Sequence, residues 1–497
     1  MPTEPEPTPA PALPKGRPAA ELLAELRELR GQDAPTRGGR TFAYVYDAGV
    51  PGLDDLAAEA YRVHATVNGL DPTVFPSVLR LENDLVGAVN AVLGRPGAQG
   101  TLTSGGTESI LLAVKTARDH ARAERGVTRP QLVLPATAHA AFHKAAHYLG
   151  LETVTVPVDP ETFRPAPADV AAALTDRTAL VVASAPSYAH GVMDPVAEIA
   201  AAAAERDVLC HVDACVGGWF LPFLARTGRP VAPFDLTVPG VTSLSVDLHK
   251  YGYADKGASV VLYRDAHLRR HQYFAHARWP GYPVVNPTVQ GTRPAGLAAQ
   301  AWAVLHHLGD DGYTELTRQV ADAADRLLPA LRALPDVRVL GEPVGNLVAF
   351  TVTGPDATPD LARVLHMADE MRERGWYLQP QLAYGALPPN LHLTLTPATA
   401  AHVPALLNDL TEALTGARAA VAPVTVDPQL LALAAALDPD TLTPEEVAAV
   451  LAFADLGGEG RPPTRMAPVL MLLDALPVRL KERLMTEYVS ALFQVRP

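Results

Sequence analysis

The chain has 497 residues, 48% of them hydrophobic, and a formal net charge of −13 at pH 7. That length allows two or three domains and a large core, while an acidic balance without a basic run gives no electrostatic support for nucleic acid or an anionic membrane surface as partner. Two cysteines, Cys210 and Cys215, exclude a disulfide framework and suit a reducing, cytoplasmic setting; with one histidine between them they do not repeat a zinc spacing, so no metal is expected.

Seven prolines among the first 18 residues, with neither a basic start nor an apolar run, mark residues 1–19 as a disordered tail and not a signal peptide. No stretch of about 18 uncharged apolar residues is present, so no bilayer-spanning segment is expected. Residues 20–30 and 53–68 have helical spacing, and residues 20–79 read as an N-terminal helical arm. From residue 80 to 294, apolar β-type runs at 131–135, 153–156, 179–184, 208–212, 234–238, 243–246 and 258–263 alternate with alanine-rich helical runs. Continuous apolar strands separated by helices imply an α/β domain, its mainly parallel sheet covered on both faces. Residues 295–416 read as long helices at 295–308 and 313–334 leading into a smaller α+β unit, with strands at 337–340, 347–352 and 391–395 and a helix at 359–374. An Ala/Pro/Val stretch at 417–426 reads as a linker, and residues 427–497 as a helical appendix with Thr443-Pro-Glu-Glu at a helix start and Lys481-Glu-Arg near its end.

Four groups of residues carry chemistry on this frame. Ser104-Gly105-Gly106-Thr107-Glu108-Ser109 opens an amphipathic helix; its glycines and free N–H groups suit a phosphate, although the same run also serves as an ordinary cap. Ala138-His139 through His143-Lys144 opens another helix, where an imidazole can stack on a ligand ring or simply face solvent. Asp213 in Cys210-His-Val-Asp-Ala214 ends an apolar strand, at the edge where open α/β sheets bind ligands. Lys250 follows His249 between two β-type runs, a place where apolar neighbours would lower the amine's pKa and leave a neutral nucleophile able to hold an aldehyde cofactor as a Schiff base. Ser184 through Gly191 and Gly291-Thr292-Arg293 lie in Pro/Gly-rich turns and read either as site loops or as plain connections.

Together a glycine turn, a histidine, a strand-end aspartate and a His-Lys pair make the set that pyridoxal 5'-phosphate requires. Their order and wording resemble the group II pyridoxal-dependent decarboxylases, especially the sphingosine-1-phosphate lyase branch. The resemblance rests on Thr101 to Ile110, His211-Val-Asp-Ala-Cys-Val-Gly-Gly218, Asp247 to Gly257, and Trp279-Pro-Gly through Gly291-Thr-Arg-Pro294, with weaker similarity over residues 35–415. It implies the fold type I (PLP-dependent transferase-like) architecture in a homodimer with shared active sites, Lys250 carrying the cofactor, Asp213 on its ring nitrogen and His139 stacked on its ring. Ser104, Gly105, Gly106, Thr107, Ser184 and His249 would complete the cofactor site, with Gly291 and Thr292 reaching in from a neighbouring subunit.

The resemblance further implies a carbon–carbon lyase acting on an amino alcohol or amino acid, with an L-amino acid decarboxylase as the alternative, since the pocket and not the cofactor selects the bond broken. Tyr46, Lys256 and Asp71 would face the substrate, Lys256 matching a lysine used toward a substrate phosphate. Asp71 and Asp47 stand where the lyase pattern has histidines. At ~4 Å and an effective dielectric of about 20, a carboxylate facing a phosphate costs on the order of 4 kcal/mol per unit-charge pair, so these positions predict a substrate other than sphingosine phosphate. A catalytically silent scaffold of the same fold is the competing class, and the intact Lys250, Asp213 and glycine turn argue against it.

Overall fold

The computed structural model describes residues 15–419, 437–453 and 465–493. Most of the expected tail, the linker from residue 420 and parts of the appendix lie outside these residues. The first three linker residues, 417–419, instead close the alanine-rich helix Val403–Ala419.

Seven strands form the central sheet: β1 (Gln99–Thr103), β2 (Gln131–Pro135), β3 (Glu152–Val156), β4 (Thr178–Ser184), β5 (Leu209–Asp213), β6 (Val241–Asp247) and β7 (Ser259–Tyr263). Their order is β1-β7-β6-β5-β4-β2-β3, and β7 alone runs against its neighbours. The run at 234–238 is not a strand. Asp235 accepts bonds from the Thr237 N–H and hydroxyl at 2.9 and 2.5 Å, and prolines flank the segment, so the chain turns while still burying Phe234, Leu236 and Val238. β1 was not expected because Gln-Gly-Thr-Leu-Thr lacks an apolar run; its pairing with β7 supplies the order.

Cover on both faces of the sheet buries every residue of the parallel strands β2, β4, β5 and β6 and of the antiparallel β7. Helix Gly106–Arg125 and helix Ala141–Leu149 cover one face through Ile110, Val114, Ala117 and Phe142. Because six strands share one direction, the carboxyl ends of β1, β4, β5 and β6 open at one edge. The residues following those ends therefore meet there.

A hairpin of β8 (Phe274–His276) and β9 (Val284–Asn286) follows the large sheet. Helix Ala295–Ala333 bends at Gly309 (φ 58°), close to the break expected between residues 308 and 313, and packs on the arm helix Leu53–His64. It leads to an antiparallel sheet ordered β10 (Val337–Val339), β11 (Leu347–Val352), β13 (Asn390–Thr394), β12 (Gln379–Gln381). The arm joins this sheet: Phe42 N–H donates to the Tyr377 carbonyl at 2.9 Å.

The described appendix consists of helices Pro444–Phe453, Ala467–Ala475 and Val478–Leu492 around Val447, Leu472, Leu480 and Leu484. Thr443 and Glu446 form the expected reciprocal cap, whereas Lys481 to Arg483 lie in the first half of the last helix and not at its end. Asp369, buried on helix Leu361–Glu373, accepts the N–H groups of Met466 and Ala467, both at 2.9 Å. A carboxylate from one helix thus caps the start of another and ties the appendix to the small sheet's cover.

Candidate active site

The carboxyl edge of the sheet opens into a cavity of about 290 Å³. Ser104, Gly105, Gly106 and Thr107 reach it from the end of β1, Asp213 from β5, His249 and Lys250 from the turn after β6, and His139 from the start of helix Ala141–Leu149. Eight of the expected site residues are therefore brought together. Ser184 is buried beside Asp213 in the β4–β5 register but does not line the cavity; its N–H donates to Asp194 Oδ2 at 2.7 Å.

Lys250 Nζ lies 2.7 Å from Asp247 Oδ2, and the carboxylate is buried. The expectation that apolar neighbours would depress the lysine is overturned. Burial does push its pKa down, but the Asp247 carboxylate at contact distance outweighs it and holds the amine above its ordinary value. Burial likewise opposes ionisation of Asp247, yet Lys250 and His249 keep its pKa below the usual range. Asp247 carried no assigned role in the sequence, although its place three residues before Lys250 at a strand end is the signal that would find it.

Space around this pair is set by glycine. A Cβ on Gly106 would stand 2.8 Å from both Asp247 oxygens and from Cys215 Sγ, so only glycine lets the helix start come this close. Gly105 has φ 151° and faces His249 Cε1. Glu108, another residue without an expected role, accepts the Ser104 N–H at 2.7 Å and the Val289 N–H at 2.8 Å, tying the glycine turn to the loop that carries Gly291 and Thr292.

His139 accepts the Ala141 N–H at Nδ1 and meets Tyr188 edge-on at 6.2 Å. Tyr188 lines the cavity, stacks on His392 at 4.5 Å and donates to Gln379 Oε1 at 2.7 Å, so the small sheet reaches the site through it. His190 is packed on Phe163 instead.

Of the expected substrate residues, Tyr46 and Lys256 lie together near Lys250, and Asp71 stands apart. Tyr46 packs edge-on against Tyr251 at 5.3 Å, and burial raises its phenol to about 12. Lys256 keeps part of its surface in solvent while its amine sits 4.8 Å over the Tyr46 ring; desolvation of that amine and repulsion from Lys250 lower it to about 8. Asp47 is turned into its own loop, accepting the Gly38 and Gly49 N–H groups at 3.2 and 3.0 Å. Asp71 is exposed and accepts the Thr73 N–H at 2.9 Å, away from this cavity. Gly291 and Thr292 also stand outside its lining, adjoining Asn68 to Asp71 through the Gly69 N–H bond to the Arg293 carbonyl at 2.7 Å.

The cavity suits pyridoxal phosphate on its own features. Asp247 Oδ1 is buried without a hydrogen bond, the amine of Lys250 faces the same space, and the Gly106 and Thr107 N–H groups begin a helix, where an anion is favoured.

A family model described as the pyridoxal-dependent decarboxylase conserved domain matches residues 40–353, and one for a C-terminal HTH domain of pyridoxal-dependent enzymes matches residues 428–491. The sphingosine-1-phosphate lyase of Arabidopsis thaliana is 38% identical over 418 residues, 82% of this chain and 74% of that protein. Sphingosine-1-phosphate lyase 1 of Rattus norvegicus is 38% identical over 387 residues, 77% of this chain and 65% of that protein. Among solved structures, a Burkholderia pseudomallei sphingosine-1-phosphate lyase aligns with TM-score 0.77 at 38% identity, covering 84% of this chain and 95% of that one. Lactobacillus brevis glutamate decarboxylase, at TM-score 0.71 and 20% identity over 84% of this chain and 96% of that one, shares the fold. With the geometry above, these similarities place the chain in the pyridoxal-dependent decarboxylase family, as a pyridoxal-phosphate-dependent lyase resembling the sphingosine-1-phosphate lyases.

Proposed function

We propose that the chain cleaves the Cα–Cβ bond of an amino alcohol, the class to which the substrate named in its relatives belongs. One observation carries the reading: Lys250, its counter-ion Asp247, Asp213 and the glycine turn converge on one cavity in a chain 38% identical to those lyases. When bound, pyridoxal phosphate supplies an aldehyde that joins the substrate amine and a ring that delocalises the electron pair left as a Cα bond breaks.

Lys250 would hold the cofactor and, once displaced, take or return a proton at Nζ. Asp247 keeps that nitrogen charged until a partner arrives. Asp213 would hold a proton on the ring nitrogen, Gly105, Gly106, Thr107, Ser104 and His249 would receive the phosphate, and His139 would cover the ring. Ser184 would act through its place beside Asp213. Lys256 and Tyr46 would receive the far end of the substrate. Asp47 is turned toward two backbone N–H groups of its own segment, so its carboxylate is held in place by them. The Asp47 and Asp71 carboxylates favour an amino alcohol without a phosphate, and the product assay below includes both forms.

Asp71, Gly291 and Thr292 share one patch outside this chain's cavity. This supports a homodimer in which that patch serves the neighbouring subunit's site. The expected cytoplasmic setting is supported by Cys210 and Cys215, which are buried and free. No helix among the described residues is long and apolar enough to cross a membrane.

The test incubates holoenzyme with amino alcohols, their phosphates and amino acids, and identifies products by mass spectrometry. Aldehyde without carbon dioxide is expected. Carbon dioxide without aldehyde would establish the decarboxylase, and turnover of none would return the scaffold reading.

A further inference from the structure

Far from the cavity, two helices present matching pairs of metal-binding side chains to each other. Helix Gly106–Arg125 carries His120 and Glu124, four residues apart, and the short helix Ala266–Arg270 with its following residue carries His267 and His271, also four apart. Residues at i and i+4 stand on one helix face, so each helix offers a two-pronged clamp. We propose that Glu124, His267 and His271, with the neighbouring His120 turning in as a fourth ligand, form a binding site for one divalent transition-metal ion of the zinc class.

The geometry is close to what such an ion needs. The ligand atoms of Glu124, His267 and His271 lie within 4.8 Å of one another, with Glu124 Oε1 3.8 Å from His267 Nε2 and 3.6 Å from His271 Nε2. Two ligands about 2.0–2.1 Å from a tetrahedral ion are separated by roughly 3.3 Å, so the two Glu124–histidine pairs need shifts of a few tenths of an ångström, and a pair at the outer 4.8 Å limit closes by side-chain rotation of about 1.5 Å. The three imidazoles are also gathered as a set. Their ring centroids are 5.4 Å (His120–His271), 5.9 Å (His267–His271) and 6.5 Å (His120–His267) apart, against about 5 Å for imidazoles sharing one zinc ion. Lys115 Nζ donates to the His271 carbonyl at 2.8 Å and pairs with Asp119, which fixes the backbone beneath one ligand.

Neither the chemistry nor the cofactor uses this cluster. Gly106, at the other end of the same helix, is 18 residues and so about 27 Å from Glu124. The segment leaving His271 runs directly into the β8–β9 hairpin and the loop bearing Gly291. An ion here would therefore pin the base of that excursion to the helix that begins at the glycine turn. The ligand spacing was present in the sequence, where the cysteines alone were weighed as metal ligands.

The experiment uses tag-free, full-length holoenzyme treated with chelator and then titrated with Zn²⁺, and in parallel with Co²⁺, whose visible spectrum reports tetrahedral coordination. One ion per chain is expected, with a rise in Tm on loading. In His267→Ala/His271→Ala and in Glu124→Gln, affinity should fall by about 100-fold or more, since even an outer partner of a metal ligand can be worth that much. His120→Ala should lose the tetrahedral cobalt spectrum. Circular dichroism and undiminished metal-free turnover establish that the variants are folded. Failure to bind an equivalent of either ion, or binding that survives the double histidine variant unchanged, would overturn the assignment.

Discussion

Lys250 and Asp247 are joined within a single turn: the amine reaches 2.7 Å to the carboxylate three residues before it, at the end of β6. The nucleophile and the charge that restrains it therefore move as one unit, and a substitution at one position removes the amine while a substitution at the other changes its charge.

Lys250→Ala should abolish fixation of the cofactor by borohydride on the peptide spanning residue 250 and lower turnover at least roughly 1,000-fold. Peptide mapping and steady-state rates check this. Because the change leaves the Asp247 carboxylate buried without its cation, a stability loss of about 3–5 kcal/mol should accompany it in the cofactor-free protein.

Asp247→Asn should leave the amine in place and change its charge. The carboxylate raises the Lys250 pKa against the pull of burial, so its removal leaves burial dominant and the amine deprotonates at lower pH. The rate at which cofactor-free protein takes up pyridoxal phosphate, followed against pH by absorbance, should have its midpoint displaced toward acid. A midpoint that stays in place or moves toward base contradicts the pairing.

Gly106→Ala introduces a methyl 2.8 Å from both Asp247 oxygens and from Cys215 Sγ. Those atoms must move, at a cost of about 1–3 kcal/mol. Cofactor affinity should fall at least tenfold, about 1.4 kcal/mol, as measured by titration of cofactor-free protein. Gly97→Ala is a poorer control, since Gly97 has φ 86°; Gly87→Ala, with nothing within 4 Å of its new methyl, should leave affinity unchanged.

Asp194 gives a pH signature in stability. Burial raises its carboxyl from 3.8 to about 7, with Asp213 adding to the rise. Below pH 4 both folded and unfolded chains hold the proton and the full stability is present. Between about pH 4 and 7 the unfolded chain ionises first, and stability declines by up to about 4 kcal/mol before levelling off. Asp194→Asn should flatten that part of the profile in urea titrations of the cofactor-free protein.

Asp369→Ala removes the acceptor for the Met466 and Ala467 N–H groups. The cap is worth about 1–2 kcal/mol, and the loss should appear as faster hydrogen exchange in helix Ala467–Ala475 with turnover retained. Exchange unchanged there would show that the apolar contacts alone hold the appendix.

The sheet was legible wherever a strand is buried on both faces, since such strands read as unbroken apolar runs, as at 179–184 and 258–263. β1 was hidden because it has a glycine and three polar residues among its five, and 234–238 misled because its buried alternation serves a turn held by Asp235. Within the site, motif wording identified Lys250, Asp213, His139 and the glycine turn. The wording could not reveal that Asp247 opposes the desolvation of Lys250, which depends on where a side chain points, nor that Glu108 spans two loops separated by more than a hundred residues in sequence. Asp47 shows the same limit: composition gives a charge, and only the fold shows which backbone amides that carboxylate accepts from.

The dispersal of the cavity's walls along the chain has a consequence for how the protein matures. β1 reaches its place only by pairing with β7, Thr103 opposite Ser259, so the glycine turn cannot face Lys250 until the sheet's most distant pairing has closed. Such non-local pairing is slow. Cofactor capture is thus a late event in biogenesis, and vitamin supply should govern how much newly made chain escapes degradation, because a ligand that binds only the finished form draws the population toward it.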